Sequence, residues 1–247
     1  MLKFENLCVS AGKTDILKNI NLEIRPHTVT VILGRNAAGK STLLSCLTGE
    51  RKYTGTISFS GKNLAMLPSR ERAALVSLLP QHLPKAEITV GELVRLGRTP
   101  HLDFAGRFTK EDESSVEDAL SLTGINHLEH RRVSELSGGE RQKAYLAMTL
   151  AQSTRLIALD EPTTYMDARH EKDFSGLLVS LVKKKKKTVL AVMHDLTRAV
   201  GIADSIVIIE NGEVLIHEST EKVRESGLIE KIFGVERYDI GDLTVYK

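Results

Sequence analysis

The 247-residue sequence contains only two cysteines, Cys8 and Cys46, and no tryptophan. Two cysteines are too few for a disulfide scaffold, so we expect a protein of a reducing compartment. The sequence also lacks an uncharged apolar run of the roughly 20 residues that span a bilayer. Its first residues, MLKFENLCVSAGK, lack the long apolar run of a signal peptide. The sequence therefore predicts a soluble chain, and a role at a membrane would require a partner.

An excess of charge of either sign is missing as well. The 34 Lys and Arg residues against 32 Asp and Glu give a formal net charge of +2. This balance gives no electrostatic reason to expect nucleic acid as the main partner. The lysine run at residues 183–187 is interpreted as the solvated end of a surface helix, because cations suit a helix C-terminus.

Short aliphatic runs predict the strands of a largely parallel sheet. The candidates are residues 29–33, 55–60, 155–160, 188–193 and 205–210. The first, third and fourth of these runs are mostly apolar, as expected for central strands covered on both faces. The helix-like residues 168–187 lie between two of them and indicate a βαβ unit. Asn211 and Gly212 separate two apolar runs and predict a tight antiparallel hairpin.

The middle of the chain, about residues 84–151, is mostly helix-like. We therefore predict an α/β nucleotide-binding core of about residues 1–83 and 152–218, which includes an N-terminal antiparallel β region. The predicted helical subdomain, residues 84–151, is inserted into this core. Residues 219–247 form a short C-terminal tail, which we expect to pack against the core or a dimer partner.

The segment GRNAAGKST follows the strand-like VTVIL and precedes the helix-like LLSCL. Gly34, Gly39, Lys40 and Ser41 have the P-loop spacing in the strand–loop–helix context that this motif requires. Glycines let successive amides converge on phosphate oxygens, Lys40 adds a positive charge for the terminal phosphates, and Ser41 supplies a hydroxyl for Mg²⁺. The predicted nucleotide-binding residues are Gly34, Arg35, Asn36, Ala37, Ala38, Gly39, Lys40, Ser41 and Thr42.

Two carboxylates end the apolar run RLIALDEP. Asp160 is placed to bind Mg²⁺ directly or through water, as the acid at the end of such a strand does in phosphoryl-transfer sites. Glu161 is placed to orient or deprotonate an attacking water. Together with the P-loop, the pair predicts a nucleotide-hydrolysing site.

The segment LSGGERQ, residues 136–142, stands directly ahead of a helix-like run. Unpaired amides at a helix N-terminus, at the positive end of the dipole, make an anion site. Alternatively, Ser137 is an ordinary N-cap and Glu140 completes a capping box. The segment alone leaves both interpretations open.

In their order along nearly the whole chain, these motifs resemble those of the nucleotide-binding subunits of ABC transporters. GRNAAGKST resembles Walker A, LIALDE resembles Walker B and LSGGERQ resembles the ABC signature. The resemblance implies that Gln81, in LLPQHLP, contacts Mg²⁺ and couples to the membrane subunit. It implies that Asp167, in PTTYMD, belongs to the D-loop, and that His194, in AVMHDL, forms a hydrogen bond toward the γ-phosphate.

The same resemblance implies a head-to-tail dimer of two copies of the chain that encloses ATP and Mg²⁺. The signature of one subunit, Ser137, Gly138, Gly139 and Glu140, would face the ATP bound to the other. Further implied partners are transmembrane permease subunits and, indirectly, a substrate-binding protein, with no nucleic acid. The implied location is the cytoplasmic face of a bacterial or archaeal membrane.

The residues Gly97, Arg98, Pro100 and His101, followed by an acidic helix, resemble importers of iron–siderophore complexes, haem and cobalamin. Alternatively, Pro100 and His101 are simply a turn between helices. Two rival functions are a non-transport ABC ATPase in nucleic-acid repair, translation or cofactor assembly, and a nucleotide-binding regulator without hydrolysis. An importer of another substrate class is a third alternative.

Several positions depart from the family pattern, among them Arg35, which replaces a common proline, and two alanines that bear on nucleotide binding. Ala11 stands where most relatives have an aromatic residue that stacks on adenine, so we expect weaker or less base-selective nucleotide binding. Ala37 replaces a common P-loop glycine and would be strained if its φ were positive.

Overall fold

The computed structural model of the chain describes residues 1–164, 168–241 and 243–247, with only the backbone of residues 168–172, 240 and 243. The predicted D-loop residue, Asp167, lies outside the described residues. Across the described part no helix is long and apolar enough to cross a membrane.

Within those residues the chain forms two larger sheets and a separate hairpin. The strands are β1 (Leu2–Ala11), β2 (Thr14–Ile24), β3 (Val29–Leu33), β4 (Thr54–Phe59), β5 (Lys62–Asn63), β6 (Val76–Leu79), β7 (Leu156–Asp160), β8 (Thr188–Val192), β9 (Ser205–Glu210), β10 (Glu213–Ser219), β11 (Arg237–Ile240) and β12 (Leu243–Tyr246).

The described α-helices surround these sheets, and three one-turn 3₁₀ helices occur in the connections. The helices are α1 (Lys40–Thr48), α2 (Ser69–Leu75), α3 (Val90–Leu96), α4 (Lys110–Thr123), α5 (Gly138–Ala151), α6 (Ala168–Lys183), α7 (Leu196–Ile202), α8 (Thr220–Glu225) and α9 (Leu228–Phe233).

The central sheet has the strand order β10-β9-β3-β8-β7-β6, and its strands are parallel except for β10. A second sheet, antiparallel throughout, has the order β2-β1-β4-β5. The predicted α/β core with an N-terminal antiparallel β region and an inserted helical segment is confirmed. The strand β6, four residues that follow directly on α2, was not predicted from the sequence.

The central sheet divides the apolar interior into two layers. In β3, Val31 packs into one layer with the helical elements, and Ile32 packs into the other with the antiparallel sheet and α1. Because side chains alternate across a strand, the largely apolar β3 contributes side chains to both layers. All five residues of β3, β7 and β8 are buried, as predicted for central strands.

The predicted hairpin at Asn211 and Gly212 is confirmed. Glu210 of β9 pairs with Glu213 of β10, and both turn residues have positive φ, 52° and 81°. A two-residue turn of this kind matches the twist of the strands that it joins. The backbone N–H of Lys18 donates to the carbonyl of Gly212 at 2.8 Å, so the turn also contacts β2.

The helices α3, α4 and α5 pack on one another in the middle of the chain. The domain boundaries near residues 84 and 151 stay a prediction. The C-terminal strand β12 contacts the core, where the N–H of Tyr246 donates to the Thr197 hydroxyl on α7 at 3.0 Å.

Candidate functional site

Four neighbouring strands of the central sheet bring most of the predicted site residues together. In the order β3-β8-β7-β6, each strand ends at the same edge, since parallel strands share their carboxyl side. The P-loop follows β3, His194 follows β8, Glu161 follows β7 and Gln81 follows β6. Segments far apart in sequence therefore meet at one edge of the sheet.

A cavity of about 700 Å³ opens at this edge. Its size falls in the range of small-molecule sites. The cavity is lined by Ile16, Asn36, Ala37, Ala38, Gly39, Lys40, Ser41, Thr42, Gln81, Glu161 and His194. The structure thus gathers all three predicted catalytic residues and seven of the nine predicted nucleotide-binding residues around one space.

The remaining two nucleotide-binding candidates, Gly34 and Arg35, line a neighbouring cavity of about 500 Å³. Gly34 permits a close approach to β9, because a Cβ at this position would lie 2.2 Å from the carbonyl oxygen of Ile209. Ala37 has φ 63°. The strain expected of an alanine at this position is therefore present.

The Lys40 side chain curls back over the loop from the first position of α1. Its Nζ donates to the carbonyl oxygens of Gly34 at 2.7 Å and Arg35 at 2.9 Å. Burial lowers the pKa of Lys40, and the nearby carboxylate charges oppose that effect only in part. No side chain of the described residues caps the N-terminus of α1, so its first amides remain available to an anion.

Asp160 offers a buried oxygen that fits a divalent cation. Asp160 is 6% exposed, and its Oδ1 is buried without a hydrogen-bond partner among the described residues. Burial raises the pKa of Asp160, although a hydrogen bond from the Ser41 hydroxyl opposes the rise. A carboxylate oxygen beside a serine hydroxyl is a donor set that Mg²⁺ accepts, with phosphate oxygens and water as its other ligands. These residues therefore fit a magnesium ion.

Glu161 is held in an unusual backbone conformation beside His194. Its φ is 51°, and its N–H donates to the carbonyl of Val192 in β8 at 3.1 Å. One carboxylate oxygen, Oε1, lies 2.5 Å from Nε2 of His194. A non-glycine residue with positive φ is strained, and such strain concentrates at functional sites. The geometry fixes a carboxylate with a histidine partner in the wall of the cavity.

The predicted signature residues do not line this cavity. Ser137 is the N-cap of α5 and forms a full capping box, in which its hydroxyl accepts from the N–H of Glu140 at 3.3 Å. In return, the Ser137 N–H donates to Glu140 Oε2 at 2.9 Å. These hydrogen bonds lower the pKa of Glu140. The structure therefore shows the capping-box interpretation directly, and leaves phosphate binding by this helix end as a proposal for an assembly of two chains.

Sequence reasoning did not identify two side chains that connect α5 to the site. Gln142 is buried, and its Nε2 donates to the carbonyl of Pro162 at 3.0 Å. The Tyr145 hydroxyl donates to the carbonyl of Pro84 at 2.9 Å. Pro162 follows Glu161 directly, and Pro84 lies three residues after Gln81. The only signal in the sequence was a polar residue on the apolar face of a helix.

Arg98, part of the pattern interpreted as typical of metal-chelate importers, is a structural residue. It is 3% exposed, and its Nε contacts Asp112 Oδ1 at 2.9 Å. Its Nη1 donates to the carbonyl of Ala151 at 2.7 Å, where α5 ends. Arg98 thus ties α3, α4 and α5 together.

The comparisons with known proteins agree with these features. Residues 17–164 match the family model described as ABC transporter. The ferric enterobactin transport ATP-binding protein FepC of Escherichia coli (strain K12) is 38% identical over 98% of this chain and 90% of that protein. The petrobactin import ATP-binding protein FpuD of Bacillus anthracis is 37% identical over 95% of this chain and 87% of that protein.

Solved structures share the fold. The cassette MJ0796, a dimer in a post-hydrolysis state bound to ADP and Pi, has a TM-score of 0.80 at 25% identity, over 89% of this chain and 99% of that one. A chain assigned to a metal-chelate type ABC transporter has a TM-score of 0.83 at 24% identity, over 100% of this chain and 96% of that one.

Proposed function

Because this chain belongs to the ABC transporter family, we propose that it is the ATP-binding and ATP-hydrolysing subunit that powers an importer. The observation that carries this proposal is the cavity in which the P-loop, Glu161 and His194 meet. The proposed reaction is ATP + H₂O to ADP + phosphate, coupled to transport across a membrane.

ATP is proposed to lie along residues 34–42, with its phosphates against the N-terminus of α1. Lys40 would exchange its two carbonyl partners in the loop for phosphate oxygens, which are stronger acceptors. Asp160 and Ser41, together with Gln81 at the cavity wall, would hold Mg²⁺. A bound Mg²⁺ neutralises charge on the phosphate oxygens.

Glu161 is proposed to orient the attacking water or accept its proton, as a carboxylate within reach of the phosphate can. His194 contacts the Glu161 carboxylate and would hold it toward the terminal phosphate. Both residues are intact, and they argue against a regulator that only binds nucleotide. Asp167, the predicted D-loop residue outside the described part of the chain, remains a candidate for the dimer contact.

A second copy of the chain is the proposed partner at the signature. Ser137 and the amides of Gly138 and Gly139, with Glu140 beside them, would face the ATP held by the other copy. A helix N-terminus of this kind stabilises a phosphate through its unpaired amides and dipole. ATP would then close the dimer, and hydrolysis would remove the bridging charge and let it open.

We propose a metal chelate, such as an iron–siderophore complex, haem or cobalamin, as the cargo. The support comes from relatives named for transport of ferric enterobactin and import of petrobactin. Permease subunits would place the chain at the cytoplasmic face of a membrane, and a substrate-binding protein would deliver the cargo. A non-transport ATPase, or an importer of another substrate class, remains the alternative.

The ATPase proposal is tested with Glu161→Gln, because glutamine keeps the shape of the side chain and cannot accept the proton. We expect steady-state hydrolysis to fall by at least about 100-fold while ATP-bound dimers accumulate on size-exclusion chromatography. Glu117→Gln, at an exposed position of α4, is the matched control and keeps wild-type activity. Wild-type turnover in Glu161→Gln would contradict the assignment.

The cargo is tested by co-purifying the chain with its native permease and measuring uptake into vesicles. Ferric siderophores, haem and cobalamin are compared at equal concentration, with the Glu161→Gln complex as the control without turnover. Uptake of none of them by an active complex would exclude the metal-chelate assignment and favour another substrate class.

A further inference from the structure

One face of α5 contacts three parts of the proposed ATPase machinery in succession. Its N-terminus at Gly138 is the proposed site for the partner's ATP. Gln142, one turn further, contacts the carbonyl of Pro162, and Tyr145 contacts the carbonyl of Pro84. Positions 138, 142 and 145 are spaced by four and three residues, so they lie on the same face of the helix.

The contact at Pro162 reaches the residue next to Glu161. Glu161 has positive φ, and its carbonyl accepts from the Thr164 hydroxyl at 3.0 Å. Among the described residues, Gln142 is the residue of α5 whose side chain forms a hydrogen bond with this segment. A movement of α5 along its axis would therefore displace the backbone at Pro162, and with it the Glu161 carboxylate.

Stability alone does not account for a glutamine at position 142. The side chain is 1% exposed, and its Oε1 is buried without a partner among the described residues. Burial of an unpaired amide oxygen is unfavourable, and an apolar residue of similar shape would avoid it. The group that the glutamine contributes is the N–H donated to Pro162.

We infer that Gln142 is a positioning residue that makes hydrolysis at Glu161 depend on the ATP bound by the partner subunit. The inference rests on the proposed function. When the N-terminus of α5 engages the partner's ATP, the helix moves toward it, and Gln142 carries the Pro162 carbonyl and Glu161 with it. Each site of the dimer then hydrolyses ATP only when the other is filled, which is a coupling between two sites through one helix.

The test is the ATP dependence of hydrolysis by Gln142→Met, which keeps the length of the side chain and removes the N–H donor. Measured in the complex with the native permease, where two copies are held together without ATP, the wild type should give a Hill coefficient between 1 and 2, and the variant should fall to about 1. We expect kcat to fall by roughly 10-fold or more, since a small misplacement of a catalytic group lowers the reaction rate strongly. Gln142→Leu, which removes the donor with a different shape, should give the same two changes.

Two further measurements separate positioning from damage to the fold. In the Glu161→Gln background, Gln142→Met should form ATP-bound dimers at the same ATP concentration as its parent, because the helix N-terminus is intact. Tyr145→Phe removes the other hydrogen bond of the same helix face and should keep the Hill coefficient of the wild type.

Wild-type cooperativity and kcat in both Gln142 variants would overturn the inference. Loss of ATP-driven dimers in the double variant would overturn it too, because the residue would then only support the fold. If the wild type itself neither dimerised with ATP nor hydrolysed it, the proposed function would fail first.

Discussion

Two alanines show how single residues depart from the motif that surrounds them. Ala37 has a positive φ in the P-loop, and Ala11 is an exposed small residue at the end of β1 that does not line the 700 Å³ cavity. The P-loop spacing predicts where phosphates would bind, because that depends on backbone amides. The strain at Ala37 depends on the backbone angle φ. The sequence predicted strain only if φ were positive, and it did not predict the sign of φ.

Ala37→Gly should stabilise the folded chain by about 0.5 kcal/mol, because relief of left-handed strain exceeds the added freedom of the unfolded chain. Urea unfolding measures the change. Ala38→Gly is the matched control, since Ala38 is not among the residues with positive φ. That variant should lose about 0.5–1 kcal/mol. An equal loss of unfolding free energy in both variants would contradict backbone strain at Ala37.

Ala11→Tyr should tighten ATP binding by about 1 kcal/mol or more, roughly fivefold, if the tyrosine stacks on the base. Isothermal titration with ATP and GTP reports both affinity and base selectivity. Ala11→Leu, which adds apolar bulk without an aromatic face, should bind as the wild type does. An unchanged affinity for ATP in the tyrosine variant would contradict the hypothesis.

At the scale of elements, the N-terminus of α5 has the capping box and is also the proposed phosphate site. The capping box occupies the N–H groups of Ser137 and Glu140, which flank the Gly138 and Gly139 amides that the proposed phosphate would contact. Glu140 places a negative charge where another would bind, so the box and the partner's ATP compete. The sequence left this choice open because one chain contains only half of the proposed site.

Glu140→Gln should promote ATP-driven dimers, because glutamine keeps the acceptor for the Ser137 N–H and removes the competing charge. The ATP concentration for half-maximal dimerisation should fall about 2- to 5-fold, most clearly at low salt. Glu221→Gln, in the first turn of α8, is the control and should leave it unchanged. A higher ATP requirement in Glu140→Gln would reject the competition.

The importer-like pattern around Arg98 has a structural role, because Arg98 and Asp112 link neighbouring helices. Gly97 permits α3 to end against α5, because a Cβ at this position would lie 2.3 Å from the carbonyl of Met148. His101 contacts the carbonyl of Gln152 through Nε2 at 2.8 Å. The pattern therefore builds the joint between three helices, and its relation to cargo class is indirect.

Acid should weaken this joint. Burial by itself would raise the pKa of Asp112, but hydrogen bonds from Thr109 and the Arg98 guanidinium outweigh it and lower the pKa to about 2. A depressed carboxyl pKa stabilises the fold above the unfolded pKa near 4, and this contribution is lost as pH falls toward 2.

We expect the free energy of unfolding to lose about 2 kcal/mol between pH 4 and pH 2 from this residue. Asp112→Asn should show a shallower dependence over that range, from a lower starting stability, because Arg98 is left buried without its charge partner. Urea titrations at several pH values measure it, and parallel curves for the two proteins would contradict the assignment.

For the whole molecule, the sequence predicted the α/β architecture, the P-loop edge and the buried central strands, because periodicity and glycine spacing are local properties. The sequence did not predict β6, nor the links from α5 to Pro162 and Pro84. Those links are single side chains reaching carbonyls 20 and 61 residues away, and no local pattern encodes such distances.

If the two copies share their ATP sites, a substitution in the signature should leave folding and ATP binding of the single chain intact. Ser137→Arg should leave the chain folded and able to bind ATP through Lys40, yet abolish ATP-driven dimers and hydrolysis. Ser137→Asp separates capping from binding, because aspartate caps a helix well and repels phosphate, so it should be equally inactive with wild-type stability. Normal hydrolysis by either variant would show that the signature is not part of the site.

The strand order also determines when the site can form during synthesis. The strand β3, which carries the P-loop, lies between β8 and β9, so both of its neighbours are made some 155 residues or more after it. At typical translation rates that interval is roughly 10–30 s. Throughout it, the nascent chain carries a largely apolar strand without the two neighbours that it has in the sheet. The edge of the sheet that carries the proposed nucleotide site therefore completes late in synthesis, after β8 and β9 have joined β3.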